Sequence, residues 1–143
     1  MKKVLSYSLT AVFVFALAFT GCKKYEDGPL FSLASKKSRV VNVWAIEKVL
    51  SNGYDVTSDW VALFPDYSVE FKNDNSYILS WTSSLAETGT WDFDSSKENI
   101  ILTPSNTAAA SKWKILRLKS DEAWIEYTSV SGNTMTELHF VTK

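Results

Sequence analysis

Cys22 is the only cysteine of the 143-residue chain, and its position gives it the clearest chemistry of any side chain. The chain begins with Lys2 and Lys3, an apolar stretch follows over 11–19, and small residues lead up to the cysteine. A basic start, about 7–15 apolar residues and a small-residue cleavage site are the parts of an export signal. The order predicts a signal peptide over 1–21, whose removal leaves Cys22 as the new N-terminus.

The residues directly before the cysteine, Ala18-Phe19-Thr20-Gly21, resemble the lipobox of bacterial lipoproteins. The resemblance implies cleavage before Cys22, a thioether-linked lipid on its sulfur and acylation of the new amino group. Ordinary secretion with a free cysteine is the alternative. Lys23 stands where an aspartate would favour inner-membrane retention, so the outer membrane is the expected location. Lys24-Tyr25-Glu26-Asp27 resembles surface-export signals, which leaves open whether the domain faces the periplasm or the outside.

The composition of residues 22–143 narrows the possible partners. These residues keep 13 of the 15 basic side chains against all 16 acidic ones, a formal net charge of −3. No basic block stands out, which argues against a nucleic-acid partner. With Cys22 lipidated, no thiol is left for a disulfide, for catalysis or for zinc. Six tryptophans, six tyrosines and eight phenylalanines are typical of strands and a crowded interior.

The mature chain divides into a polar, turn-rich tether over 22–38 and one domain over 39–143. Short strands separated by turn signals follow one another in the domain, and a helical turn is expected at 57–64. A sequential antiparallel meander of this length loses its exposed edges when it closes into a barrel, although an open sheet or a sandwich is an alternative. The predicted strands are approximately 39–50, 67–72, 76–81, 88–94, 99–103, 112–119, 122–129 and 134–142.

Two hairpin registers follow from the alternation of side chains. A three-residue loop, Asn73-Asp74-Asn75, pairs Phe71 with Tyr77 and keeps one face apolar. In the last hairpin, like charges directly opposite each other destabilise a sheet. We therefore expect Glu126 to face His139 rather than Glu137.

One further contact is expected between neighbouring strands near the end of the chain. A turn at Ser120-Asp121 sets Arg117 against Trp124. The guanidinium then covers the outward-facing indole ring in a cation–π contact.

The order of several motifs resembles small lipocalin-like lipoproteins of Gram-negative bacteria. The resemblance implies an eight-stranded antiparallel up-and-down barrel with Trp44 near its closed end. Asn42 replaces the glycine that typically precedes this tryptophan by two residues, and the chain is short, which argues against a spacious cavity. The resembling segments are Cys22-Lys23-Lys24, Val43-Trp44, Val69-Glu70-Phe71-Lys72-Asn73-Asp74, Gly89-Thr90-Trp91-Asp92-Phe93, Ile100-Ile101-Leu102-Thr103-Pro104, Lys112-Trp113-Lys114-Ile115 and Glu137-Leu138-His139-Phe140.

Aromatic residues on the inward face of the predicted barrel are the candidate ligand-binding residues. They either line a pocket for a small hydrophobic or glycan ligand or fill the interior, because an eight-stranded barrel is just wide enough to be packed by its own side chains. Two functions therefore remain as alternatives. The protein is either a binding module for such a ligand or an accessory lipoprotein that acts through protein contacts. The five residues are Tyr67, Tyr77, Trp81, Trp91 and Trp113.

The remaining polar candidates give weak signals for catalysis or metal binding. His139 is the only histidine, without clustered ligands, and is expected to be an outward strand residue. The spacing of Asp92, Asp94 and Ser96 matches the first ligands of a calcium-binding loop. A lysine stands at the sixth position, where such a loop requires glycine. The carboxylates of Asp121-Glu122 belong to an expected turn. We therefore expect no enzyme, no metal and no cofactor.

Overall fold

The computed structural model describes residues 35–106, 109–128 and 134–143. The predicted signal peptide, Cys22 and most of the predicted tether lie outside these ranges. None of the helices in the described part is long and apolar enough to cross a membrane. The elements within the described ranges are α1 (Lys36–Val40), β1 (Val43–Ser51), β2 (Tyr54–Asp55), α2 (Thr57–Leu63), β3 (Ser68–Phe71), β4 (Ser76–Thr82), β5 (Leu85–Phe93), β6 (Asn99–Pro104), β7 (Ser111–Leu118), β8 (Glu122–Thr128) and β9 (Met135–Thr142).

Eight of these strands close an antiparallel up-and-down barrel, which confirms the predicted fold class. Each strand from β3 to β8 pairs with the next one, and β1 pairs with both β3 and β9. The two-residue β2 pairs with the end of β1 alone. Side chains alternate between the two faces of each strand, and the inward ones form one continuous hydrophobic core.

Helix α1 covers one end of the barrel, which we call the α1 end. Its Val40 is 1% exposed, and the Trp44 indole Nε1 donates to the Val40 carbonyl at 2.9 Å. The Ser35 hydroxyl caps the helix by accepting from the Ser38 backbone N–H at 3.1 Å. The prediction of a strand from residue 39 is therefore wrong at its start, because the capped turn carries the chain across the barrel mouth before β1 begins at Val43.

Helix α2 lies at the opposite end, which we call the α2 end. It spans nearly the range predicted for a helical turn, and Pro65 follows it directly after Phe64. The Thr57 backbone N–H and hydroxyl both donate to one Asp55 carboxylate oxygen, at 3.0 and 2.6 Å, which fixes the entry into the helix. Trp60 and Phe64 pack against the barrel core from this side.

The β3–β4 hairpin has the predicted register. Phe71 pairs with Tyr77 and Val69 with Leu79. Asn75 takes the left-handed conformation at φ 67°, which asparagine tolerates better than most residues. The three-residue loop is confirmed, and the aromatic and aliphatic side chains of both strands share the inner face.

The predicted register of the last hairpin is wrong by two residues. The structure pairs Glu126 with Glu137 and Trp124 with His139. Each of the two facing carboxylates has its own polar partner, because the Lys114 ammonium lies 3.4 Å from Glu126 and the His139 imidazole lies within hydrogen-bond distance of Glu137, at 2.6 Å. Those contacts offset the like-charge repulsion on which the prediction relied.

The observed register also builds a stack on the outer wall. The Trp124 and His139 rings lie parallel with centroids 4.2 Å apart. The Arg117 guanidinium carbon lies 4.0 Å from the centre of the Trp124 ring, which confirms the predicted contact. His139 is thus an outward strand residue that faces an indole ring instead of Glu126.

Candidate functional site

All five predicted aromatic residues belong to the core side of the barrel wall. Tyr67, Tyr77, Trp91 and Trp113 are buried, with exposed fractions of 8%, 1%, 2% and 4%. Trp81 is half-buried and packs against the same core. The sequence prediction that these rings point inward agrees with their positions in the structure.

Aromatic rings fill most of the barrel interior. Trp113 lies at 6.2 Å from Phe140 and at 6.4 Å from Phe71, and the Phe71 ring packs edge-on against Trp91 at 5.3 Å. The void among these side chains measures about 10 Å³, which is about the space of one water molecule. In the described part of the barrel, this central region is packed by its own side chains, the second of the two arrangements left open by the sequence. Its lining residues are Val40, Trp44, Val69, Phe71, Ile100, Trp113, Leu118, Ala123, Ile125 and Phe140.

Polar side-chain groups lie on the inner wall at the α2 end. The Tyr77 hydroxyl donates to the Glu87 carboxylate at 2.6 Å. Glu87 pairs with Leu79 across β4 and β5, which places the carboxylate on the inner face. Gly89, two residues further along the same face, leaves room for the Tyr77 ring, because a Cβ there would lie 2.7 Å from Tyr77 Cε1.

The tyrosine hydroxyls at this end stay neutral at ordinary pH. Burial raises the pKa of Tyr67, and electrostatic interactions with Tyr127 and Glu87 raise it further. Burial also raises the pKa of Tyr77, as does its hydrogen bond to Glu87. Tyr127 has a pKa raised by burial and partly lowered by a hydrogen bond with Thr136. These groups therefore offer neutral hydrogen-bond donors and acceptors.

Helix α2 covers part of this end with aromatic rings. Trp60 packs edge-on against Tyr67 at 5.4 Å and contacts Phe64 at 5.1 Å. Its indole Nε1 is buried and has no hydrogen-bond partner among the described residues. On β5 and β8, Glu87 and Tyr127 are inward-facing but only half-buried. We call this partly exposed set of inward-facing residues at the α2 end the recess.

Sequence reasoning missed several residues of this recess. Glu87, Gly89 and Trp91 are spaced two residues apart on one strand, so their side chains share a face. This spacing was enough to predict that Glu87 points inward like Trp91. Trp60 gave no such signal, because its place over the barrel depends on how α2 folds back. Tyr127 alternates in phase with the buried Ala123 and Ile125, so the same period of two indicated its inward position, and the two-residue register error left that face unchanged.

Exposed apolar side chains surround the recess. Six large hydrophobic residues of the described ranges are exposed, and all except Val43 lie on elements of the α2 end. A rim of this kind is a common mark of an interaction surface. The five rim residues are Tyr54 (77% exposed), Val61 (44%), Leu63 (69%), Leu85 (55%) and Met135 (50%).

A larger groove of about 590 Å³ runs over the outer wall across β6, β7 and β8. The Lys114–Glu126 ion pair spans it at 3.4 Å, and Lys112 lies beside it. Tyr127 is the one aromatic residue along it. Apart from Tyr127 and two alanines, its lining residues are polar or charged, unlike the aromatic residues at the α2 end.

The acidic motifs named above serve local structure. One Asp94 carboxylate oxygen accepts from the backbone N–H groups of Glu98 and Asn99, and the other accepts from the Asn99 side chain at 2.6 Å. These hydrogen bonds, led by the one from Asn99, lower the pKa of Asp94 to about 2. Glu122 forms ion pairs with Arg117 and Lys119 at 2.9 and 2.7 Å. No group of three potential metal ligands occurs among the described residues.

Comparison with protein-family models found no match, and no curated protein matches the chain. The geometry of the barrel is therefore the basis for assigning a role. A closed eight-stranded antiparallel barrel with a recess at one end is compatible with a lipocalin-like binding module.

Proposed function

We propose that this protein is a lipid-anchored, non-catalytic binding module of the cell envelope, of the lipocalin-like lipoprotein type. Its ligand is a small apolar molecule or a glycan that docks in the recess at the α2 end. One observation carries the proposal: Trp81, Glu87 and Tyr127 belong to the core side of the wall and yet remain partly open to solvent. Such a mixture of ring faces and a few placed polar groups is typical of ligand sites.

The packed centre of the barrel determines how the ligand binds. A void of about 10 Å³ admits no ligand group, so the ligand rests on the ring faces near the opening. The described chain enters the barrel through α1, at the end opposite the recess. A tether attached there would leave the recess facing away from the anchored segment.

The lipid anchor is tested by replacing Cys22 with alanine. We expect the variant to lose acyl labelling and to leave the membrane fraction, because stable anchoring requires covalently attached chains. Fractionation and metabolic labelling with a palmitate analogue measure both effects. Labelling that persists in the variant would contradict lipidation at Cys22.

The ligand is tested by native mass spectrometry of protein purified from its own membrane. We expect the wild type to carry a mass beyond its polypeptide and acyl chains. Glu87→Trp fills the recess and should remove this mass, whereas Ala86→Trp, on the exposed neighbouring position, should keep it. A wild type without added mass, or both variants retaining it, would contradict a ligand in the recess.

Docking to a protein is a second candidate function, favoured by the exposed rim around the recess. Leu63 on α2 and Leu85 at the start of β5 are both exposed at this end and offer apolar area for such a contact. Under this alternative, Leu63→Asp and Leu85→Asp release a co-purifying protein partner. Neither variant would change a small-molecule mass found in the wild type.

A further inference from the structure

The charge of Glu87 has no cationic partner within the described residues. Its hydrogen bond comes from the neutral Tyr77 hydroxyl at 2.6 Å, and none of the ion pairs includes it. The recess therefore holds an unbalanced negative charge.

Aromatic residues lie at the same end of the barrel as this carboxylate. The Tyr77 hydroxyl contacts it directly. Tyr67, Trp81 and Tyr127 pack in or against the core at the α2 end. The faces of tyrosine and tryptophan rings attract cations, and quaternary ammonium groups are recognised by such rings.

Acidic side chains also lie outside the recess at the same end. Asp59 on α2 and Asp66 after it are both exposed, and neither forms an ion pair with a described residue. Lys48 is engaged by Asp55 at 3.7 Å. Lys112, near the start of β7, is a basic residue of the same end, so four acidic side chains, including Asp55 and Glu87, face two lysines there. An excess of one sign of charge raises the local concentration of the opposite sign.

We propose that the recess recognises an organic ammonium group, with Glu87 as its counter-ion and the tyrosine and tryptophan rings at the α2 end as its apolar walls. The inference rests on the proposed function, because it specifies the ligand class for that same site. It excludes a purely neutral hydrocarbon as the preferred ligand. A glycan or small apolar molecule remains compatible when it carries an amine.

The test is a calorimetric titration of the membrane-extracted lipoprotein in detergent. Choline is one probe, and 3,3-dimethylbutan-1-ol is the other, because it has the same shape without the charge. We expect choline to bind at least about tenfold more tightly, a difference typical of a partly desolvated cation–π site with a counter-ion. Glu87→Gln should bring the two probes within about threefold. Glu98→Gln, at the α1 end, is the control and should keep the wild-type preference.

Each contrary outcome has a separate meaning. Equal binding of both probes to the wild type would overturn the ammonium class while leaving a ligand site in place. A preference for choline that survives in Glu87→Gln would overturn the assignment of Glu87 as counter-ion. If neither probe binds and the membrane-purified protein also carries no added mass, the proposed function itself fails.

Discussion

Trp113→Ala should lower the free energy of unfolding by about 3–5 kcal/mol, the usual loss for a buried tryptophan. The ring is 4% exposed and stacks against Tyr127 at 6.3 Å and Phe140 at 6.2 Å. Alanine would leave a cavity in a region whose present void is about 10 Å³. Urea unfolding followed by far-UV circular dichroism measures the loss.

Trp124→Ala provides the matched control, because it removes the same side chain from the outer wall. That ring is half-buried and held by Arg117 and His139. We expect a loss of about 1 kcal/mol, since an exposed cation–π contact contributes about 0.5–1 kcal/mol. If Trp113→Ala costs no more than Trp124→Ala, the interior around Trp113 is not packed, and the description of a filled barrel is wrong.

Gly89→Ala should destabilise the protein by more than about 3 kcal/mol, beyond the 1–3 kcal/mol usual for an overpacked core. A Cβ at this position would lie 2.2 Å from the Thr103 carbonyl oxygen and 2.9 Å from the Pro104 Cα. Both are backbone atoms of the neighbouring β6, so no side-chain rotation relieves the clash. The same Cβ would press on Tyr77 and disturb its hydrogen bond to Glu87. Thermal unfolding measures the effect.

The control for this substitution is Thr90→Val, on the exposed neighbouring position of β5. It keeps a β-branched side chain, so we expect a change within about 0.5 kcal/mol. An alanine without a steric clash would instead stabilise the chain by about 0.4–1 kcal/mol through the unfolded state. Gly89→Ala unfolding at or above the wild-type temperature would therefore show that β5 and β6 do not approach as closely as described.

The sequence was sufficient to predict the barrel and one of its hairpins in detail. Alternating polar and apolar residues determine which side of a strand faces the core. The Asn73-Asp74-Asn75 loop then leaves one register for Phe71 and Tyr77 that keeps the apolar face intact. Local rules were enough there, because the loop and the strand pattern require the same pairing.

The last hairpin and the first helix could not be predicted in this way. The pairing of Glu126 with Glu137 depends on Lys114 from a third strand, which no two-strand comparison includes. Helix α1 depends on burying Val40 under the closed barrel. Both features result from contacts between distant segments, so the sequence pattern alone favoured the wrong alternatives.

The sequence predicted which aromatic residues point into the barrel, but it did not predict the shape of the space between their rings. The inward aromatic residues were found from alternation, yet whether their rings leave a cavity depends on how they interlock. Trp113 and Phe71 meet edge-on at 88°, a packing detail that no pattern of residue types reveals. The polar part of the recess, Glu87 with Tyr77, emerged only when β4 and β5 were placed side by side.

The most direct test of a binding recess on a packed barrel is an NMR titration with choline that follows the six indole N–H signals. Trp60 and Trp81 lie at the α2 end, whereas the indoles of Trp44 and Trp91 donate to backbone carbonyls at the α1 end. The account predicts that the Trp60 and Trp81 signals shift while those of Trp44 and Trp91 stay in place. Shifts at Trp44 and Trp91, or none at Trp60 and Trp81, would contradict it.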